Sequence, residues 1–264
     1  WCNSSPDNLL LHFLTVAILK KEGKTEEALQ VMNSSPSGSD YLPLPVMQYM
    51  KAELLLHQGK YPLAVKQYEL FLQQYRGANF VKDSYYKIFI SYWLTNQTEK
   101  GRKYLEKVTT LGSTVTEADQ FAQRFAEQYL SNKVSDEVKP LYMARYYSDG
   151  GYQQKAKMAL QEFNENSFST DLAKAELNYR RGRIYQKSGT PSQSIAFYKR
   201  AITLSEPHSY YFGASASLQL GYIYQDNKQI ASARTYFKKA ISFKKHEYKN
   251  SIDNKAKAAL QNLK

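Results

Sequence analysis

The stretch Leu220–Ala240, LGYIYQDNKQIASARTYFKKA, carries the pattern from which the fold follows. Gly221 and Tyr224 are three residues apart, on one face of a helix. Ala233, Phe237 and Ala240 follow at spacings of four and three, on one face of a second helix. A small residue on each helix lets the two axes approach closely, and the large residues fill the space beside that contact. The eight residues between Tyr224 and Ala233 hold the turn. Two short antiparallel helices are therefore predicted here.

The same spacings recur along the chain. They are met at Gly182, Tyr185, Ser194, Tyr198 and Ala201, and again at Ala52, Leu55, Ala64, Tyr68 and Phe71. Fainter copies run through Phe89, Tyr92, Gly101, Leu105 and Val108, and through Ala144, Tyr147, Ala156, Leu160 and Phe163. The most degraded has Val16, Leu19, Ala28, Met32 and Ser35. Gly23, Gly59, Gly151 and Gly189 each fall seven residues after the small position of the first helix, where a helix end favours a left-handed residue. The anchors Val16, Ala52, Phe89, Ala144, Gly182 and Gly221 are separated by 36, 37, 55, 38 and 39 residues. Longer loops such as Ser34–Pro45 take up most of the variation. The 55-residue interval has room for one more helix, and Thr116–Leu130 (TEADQFAQRFAEQYL) is amphipathic over that length. Tyr248–Leu263 reads as a final helix with Ile252, Ala256, Ala259, Leu260 and Leu263 as its apolar stripe.

This pattern resembles the tetratricopeptide repeat, a pair of antiparallel helices in about 34 residues. The resemblance covers nearly the whole chain. It implies an all-α, right-handed superhelical solenoid of about six helix pairs, an inserted helix and a C-terminal helix, as a single domain over residues 1–264. The copies depart from the family in lacking its Trp near the start of the first helix. Arg181 stands where Leu220 stands in the next copy, and Ser194 replaces the small Ala. The phrases DGGY (149–152), YRRGRIY (179–185) and EYKNSIDNKAKAAL (247–260) are also similar to the C-terminal portion of larger bacterial repeat proteins, often exported ones. With Trp1 in place of an initiator Met, the chain is expected to be a fragment or processed product of a longer one.

Chemistry-bearing motifs are sparse. Cys2 is the single cysteine, which excludes an intrachain disulfide and a multi-cysteine metal site. His12, His57, His208 and His246 are far apart and none sits in a metal-ligand spacing. Gly150-Gly151 lies between helices, so it is a turn and not a phosphate cradle. Glu26-Glu27 and Asp136-Glu137 open helices, where acidic side chains suit the helix dipole. No catalytic, cofactor or metal site is expected. The longest apolar run, Leu9–Leu19, is far short of the ~20 residues that span a bilayer.

What remains is the surface. In the resembling family the first helix of each pair lines a concave face. Positions three before or one after the small anchor then point inward: Tyr49 and Glu53, Tyr86 and Ile90, Leu141 and Arg145, Tyr179 and Arg183, Leu218 and Tyr222. Gln186 and Gln225 lie one turn further on. Arg145, Tyr179, Arg183, Gln186, Tyr222 and Gln225 are the candidate partner-binding residues, a mixture of types that dominates binding hot spots. A family clamp for a C-terminal carboxylate needs Asn at the inward site, and none of Ala17, Glu53, Ile90, Arg145, Arg183 or Tyr222 is Asn. The net charge of +12 resides wholly in residues 179–264, with sixteen Lys or Arg against four Asp or Glu. That field favours acidic partners. Nucleic acid and an anionic membrane or envelope surface are the other partners it could steer, although no nucleic-acid motif is present. The expected function is a non-enzymatic scaffold for a protein or peptide. The alternative is a structural domain of a longer envelope protein, with the apolar Leu10, Leu11, Phe13 and Leu14 covered by an upstream repeat or a second copy.

Overall fold

The computed structural model describes residues 7–42 and 44–263; Trp1 and Cys2 lie outside the described residues, as does Pro43 within the first long loop. The described residues form helices α1 (Leu9–Lys21), α2 (Thr25–Asn33), α3 (Val46–Gln58), α4 (Tyr61–Gln74), α5 (Val81–Leu94), α6 (Thr98–Thr110), α7 (Glu117–Leu130), α8 (Lys139–Asp149), α9 (Gln153–Ala159), α10 (Asp171–Lys187), α11 (Pro191–Ser205), α12 (Tyr211–Asp226), α13 (Ile230–Ser242) and α14 (Lys249–Asn262). No strand occurs among them. Helices α7 and α14 are the inserted and terminal helices that the sequence predicts; α1–α2, α3–α4, α5–α6, α10–α11 and α12–α13 pack as predicted pairs, and α8 and α9 stand at the place of the fourth pair. None is long and apolar enough to cross a membrane.

The turns follow local chemistry. Gly59 ends α3 at φ +79, and Gly23, Gly151 and Gly189 adopt the same left-handed conformation at their predicted places. Where the sequence lacks glycine, Asn96 and Lys228 fill that role. Pro191 starts α11, where a missing N–H costs nothing.

The helices divide into two compact units. Of the described residues, one contains 7–42, 44–139 and 146–152; the other contains 140–145 and 153–263. In the first, α1–α2, α3–α4 and α5–α6 pack pairwise and in succession. Helix α7 packs on α5 and α6, where Phe125 meets Tyr86, Phe89 and Trp93. Its Asp119 accepts from the backbone N–H of Phe80 (2.7 Å) and Asp83 (3.0 Å), so the inserted helix caps the start of α5. Tyr146–Tyr152, from the end of α8 into its turn, also belongs here. Thr25 Oγ1 donates to the Gly150 carbonyl (2.9 Å), and Tyr152 OH donates to Glu26 (2.6 Å). A Cβ on Gly151 would collide with the Gly23 carbonyl oxygen, so the two turns touch backbone to backbone.

In the second unit, α10–α11 and α12–α13 pack as antiparallel pairs, α11 meets α12, and α14 closes on α12 and α13. Tyr198, Phe237, Leu220, Ala233 and Ala240 are fully buried in one core with Ile252 and Ala256 of the last helix and Leu263 just after it. The stripe predicted for α14 is thus its buried face. Gly182 and Gly221 sit beneath the rings of Tyr198 and Phe237, with no space for a side chain at either place.

Candidate functional site

The inward positions of the first unit are internal. Tyr49, Glu53, Tyr86 and Ile90 are all buried. Glu53 on α3 accepts from Lys20 of α1 and from Lys87 of α5 (2.6 Å). Lys87 also pairs with Asp83 (2.8 Å), and Tyr49 OH donates to the same Asp83 carboxylate (2.6 Å). Two cations thus face two anions. Burial by itself would raise the Glu53 carboxyl, but Lys87 and Lys20 outweigh it and hold it at about 2. Asp83 is pushed above the usual carboxylate range by burial and by Glu53, against the pull of Lys87. Burial would lower the Lys87 ammonium, yet Asp83 and Glu53 raise it.

Segment Tyr146–Tyr152 covers part of this face. Tyr146 stacks on His57 of α3 (6.4 Å between ring centres) and its hydroxyl lies 3.4 Å from that of Tyr86. Tyr147 rests against Gly59. The His57 imidazole is held down at about 4 by burial, despite Asp149 and Glu53, and its Nδ1 has no hydrogen-bond partner among the described residues. Sequence spacing selects these side chains, but it carries no sign that they are buried against the protein's own chain.

The second unit differs. Leu141 and Leu218 are buried, whereas Arg145, Tyr179, Arg183, Gln186, Tyr222 and Gln225 are all partly open to solvent. Tyr179, Arg183 and Gln186 share one face of α10 at spacings of four and three. The Arg183 guanidinium donates to Gln219 of α12 (2.8 Å) and lies 3.4 Å from Gln186 Oε1. Gln186 in turn accepts from Tyr198 OH (2.5 Å). Tyr179 packs on Phe212 (5.5 Å), and Tyr222 stands edge-on to Phe237 (5.2 Å, 71°). Arg145 acts on the hydroxyl of half-buried Tyr211, which desolvation raises and Arg180 and Arg145 pull down. Helices α10 and α12 therefore lie side by side, with polar and aromatic side chains along them fixed by a rigid core. Gln219, which joins the two helices, lies one residue off the inward spacing and is missed by it.

Part of the basic excess is neutralised by acids that precede the basic segment 179–264, Arg180 by Glu176 (2.7 Å) and Arg200 by Glu165 (2.6 Å); within it Lys249 pairs with Asp253 (2.7 Å) and Lys239 with Glu206. Lys238, Lys244, Lys245, Lys255 and Lys257 are exposed. Among the described residues no cluster of three or more His, Cys, Asp or Glu could hold a metal ion.

Residues 175–208 and 214–246 match the tetratricopeptide repeat family model. The match is to two tetratricopeptide repeats. The first holds Tyr179, Arg183 and Gln186, and the second holds Tyr222 and Gln225; Arg145 precedes both. Tetratricopeptide repeats serve generally as protein-interaction scaffolds, through surfaces built by stacking. A solved structure, the C-terminal part of a tetratricopeptide repeat-containing protein from Cytophaga hutchinsonii, is 15% identical over 94% of this chain and 99% of its own, with a TM-score of 0.35. No curated protein matches the chain.

Proposed function

We propose that the chain is a non-enzymatic scaffold that holds a protein or peptide against α10, α12 and the adjoining part of α8. Arg145, Tyr179, Arg183, Gln186, Tyr222 and Gln225 are the contacts. One observation carries this reading: the inward polar and aromatic positions are consumed internally in the first unit and stay open in the second. Tyr and Arg on a rigid core lose little entropy on binding, and the positive field suits an acidic partner. Peptides selected from a displayed random library should be enriched in Asp and Glu. Arg183→Glu and Tyr222→Ala should each weaken the selected peptide by about tenfold or more. Undiminished binding to both variants would move the site elsewhere.

A second reading, a structural domain within a longer assembly, is favoured by α1. Leu14 and Ile18 are 46% and 58% exposed, whereas Met50 and Leu54, at the matching places of α3, are 4% and 0% exposed. Leu10 continues the bare stripe. The equivalent face is thus buried one hairpin later in the stack, so the natural cover for α1 is another hairpin, from an upstream repeat or a second copy. Light scattering on the chain as it stands should show a concentration-dependent dimer that Leu14→Lys dissolves. A monomer at all concentrations would remove the second copy from consideration.

A further inference from the structure

A recurring ring pair points to a site apart from the surface just described. Tyr92 stacks on Tyr104 (6.0 Å), Tyr185 on Phe197 (5.4 Å, 6° between planes) and Tyr224 on Tyr236 (5.3 Å). Each is a first-helix residue with the residue twelve places later on the second helix. In α5–α6 this stack receives a carboxylate from the preceding hairpin: Tyr104 OH donates to Glu69 of α4 (2.6 Å). Lys103 lies 5.2 Å from the same ring.

By repeat register, Gln161 stands in α9–α10–α11 where Glu69 stands in the earlier hairpin. A cavity of about 300 Å³ opens there, walled by Met158, Leu160, Ile184, Tyr185 and Phe197. Two cations border it. Lys157 Nζ sits 4.6 Å over the Tyr185 ring, and the Arg181 guanidinium 5.8 Å from that of Phe197. Arg181 is the residue that breaks the repeat pattern. It donates to the carbonyls of Leu160 (3.1 Å) and Phe163, which close the short helix α9. Neither cation has a carboxylate within ion-pair distance among the described residues; Arg181 is acted on by the Tyr185 hydroxyl and, more weakly, by Glu165, which is already paired with Arg200. Burial lowers the Arg181 pKa, the mark of a charge held partly out of water without a full counterion.

We infer that this cavity binds an Asp or Glu side chain, flanked by an apolar residue, from an acidic peptide segment of a partner protein. The carboxylate would lie beside Lys157 and Arg181, next to Gln161, and would take its charge complement from the two cations and not from a ring hydroxyl, which Phe197 lacks. The apolar neighbour would lie on Met158, which is 63% exposed. Arg181 and Arg183 are about 200° apart around α10, so this site faces away from the proposed partner surface and does not depend on it.

The test is fluorescence anisotropy on the whole chain, with a fluorescein-labelled decapeptide of alternating Phe and Asp and its counterpart with Asn for Asp. The Asp peptide should bind about tenfold or more tightly than the Asn peptide at ~50 mM salt, with the gap narrowing at ~300 mM. Lys157→Ala and Met158→Glu should each reduce its affinity about tenfold, the second by charge repulsion at an exposed position that leaves the fold intact. Lys238→Ala, at an exposed cation outside both sites, should change it by less than about twofold, which excludes a general response to the basic surface. Absence of binding, equal binding of the Asn peptide, or full binding by both cavity variants would each overturn the inference.

Discussion

Phe237→Ala is expected to lower the stability of the chain by about 3–5 kcal/mol, read as a shift of the urea or thermal midpoint. The ring is fully buried in the core of the second unit and lies directly over Gly221. Its removal forfeits apolar burial and leaves a cavity that two rigid helices cannot close. Gly221 supplies the counterpart. In a solvent-exposed helix Gly→Ala gains about 1 kcal/mol from propensity. Here the added methyl is driven into a ring with no free rotamer, and overpacking costs about 1–3 kcal/mol. Gly221→Ala is therefore expected to destabilise the wild type and to stabilise a Phe237→Leu background, in which the ring is gone. A Gly221→Ala chain more stable than wild type would show that the helices do not meet as closely as the small-and-large pattern requires.

That contact is also where the sequence is most informative. The anchors Val16, Ala52, Phe89, Ala144, Gly182 and Gly221 are all buried, as are Ala28, Ala64, Gly101, Ala156, Ser194 and Ala233 on the paired helices. Periodicity gives this because it reports which side chains leave water within one hairpin, a local property. Thr116 and its helix are legible for a similar reason: the Thr116 hydroxyl accepts from the Asp119 N–H (3.1 Å). The candidate site is legible only in part. Spacing selects Tyr49 and Glu53 on the same footing as Tyr179 and Arg183, yet the first two are buried in an ion-pair network. What separates them is contact between residues more than thirty positions apart, such as Lys87 with Glu53 or Tyr146 with Tyr86, and no short-range pattern encodes it. The stacked rings were within reach, since Tyr92–Tyr104, Tyr185–Phe197 and Tyr224–Tyr236 repeat one twelve-residue spacing.

The second large effect is expected at Glu53. Glu53→Gln leaves Lys87 with Asp83 alone and takes from Lys20 the carboxylate it pairs with, and a buried pair broken on one side costs about 3–5 kcal/mol. The same network gives the first unit a defined acid response. Glu53 has a folded pKa of about 2, below its unfolded value. Its contribution, about 3 kcal/mol, is complete above pH ~4.5 and lost as pH falls toward ~2. His57 is also depressed, to about 4, because the neutral ring is favoured in the fold. Its contribution, about 2–3 kcal/mol, is complete above pH ~6.5 and lost as pH falls through ~4. Asp83 has the opposite sign: its raised pKa makes the ionised form a cost, present at neutral pH and relieved in acid. Stability should therefore decline in two steps on acidification, the first absent in His57→Phe and the second absent in Glu53→Gln. A loss below about 1 kcal/mol in Glu53→Gln would show that the network is solvated.

The meeting of Gly23 with Gly151 changes what kind of object the first unit is. An array whose members touch only their nearest neighbours can be lengthened, trimmed or melted from one end, one member at a time. Clasping the first turn to one some 125 positions later, as Thr25 does with Gly150, turns the row into a loop. A loop must find a distant partner before it can close, so folding waits on a slow search. Once latched it opens as a whole, and excising any one hairpin would leave the clasp without its mate.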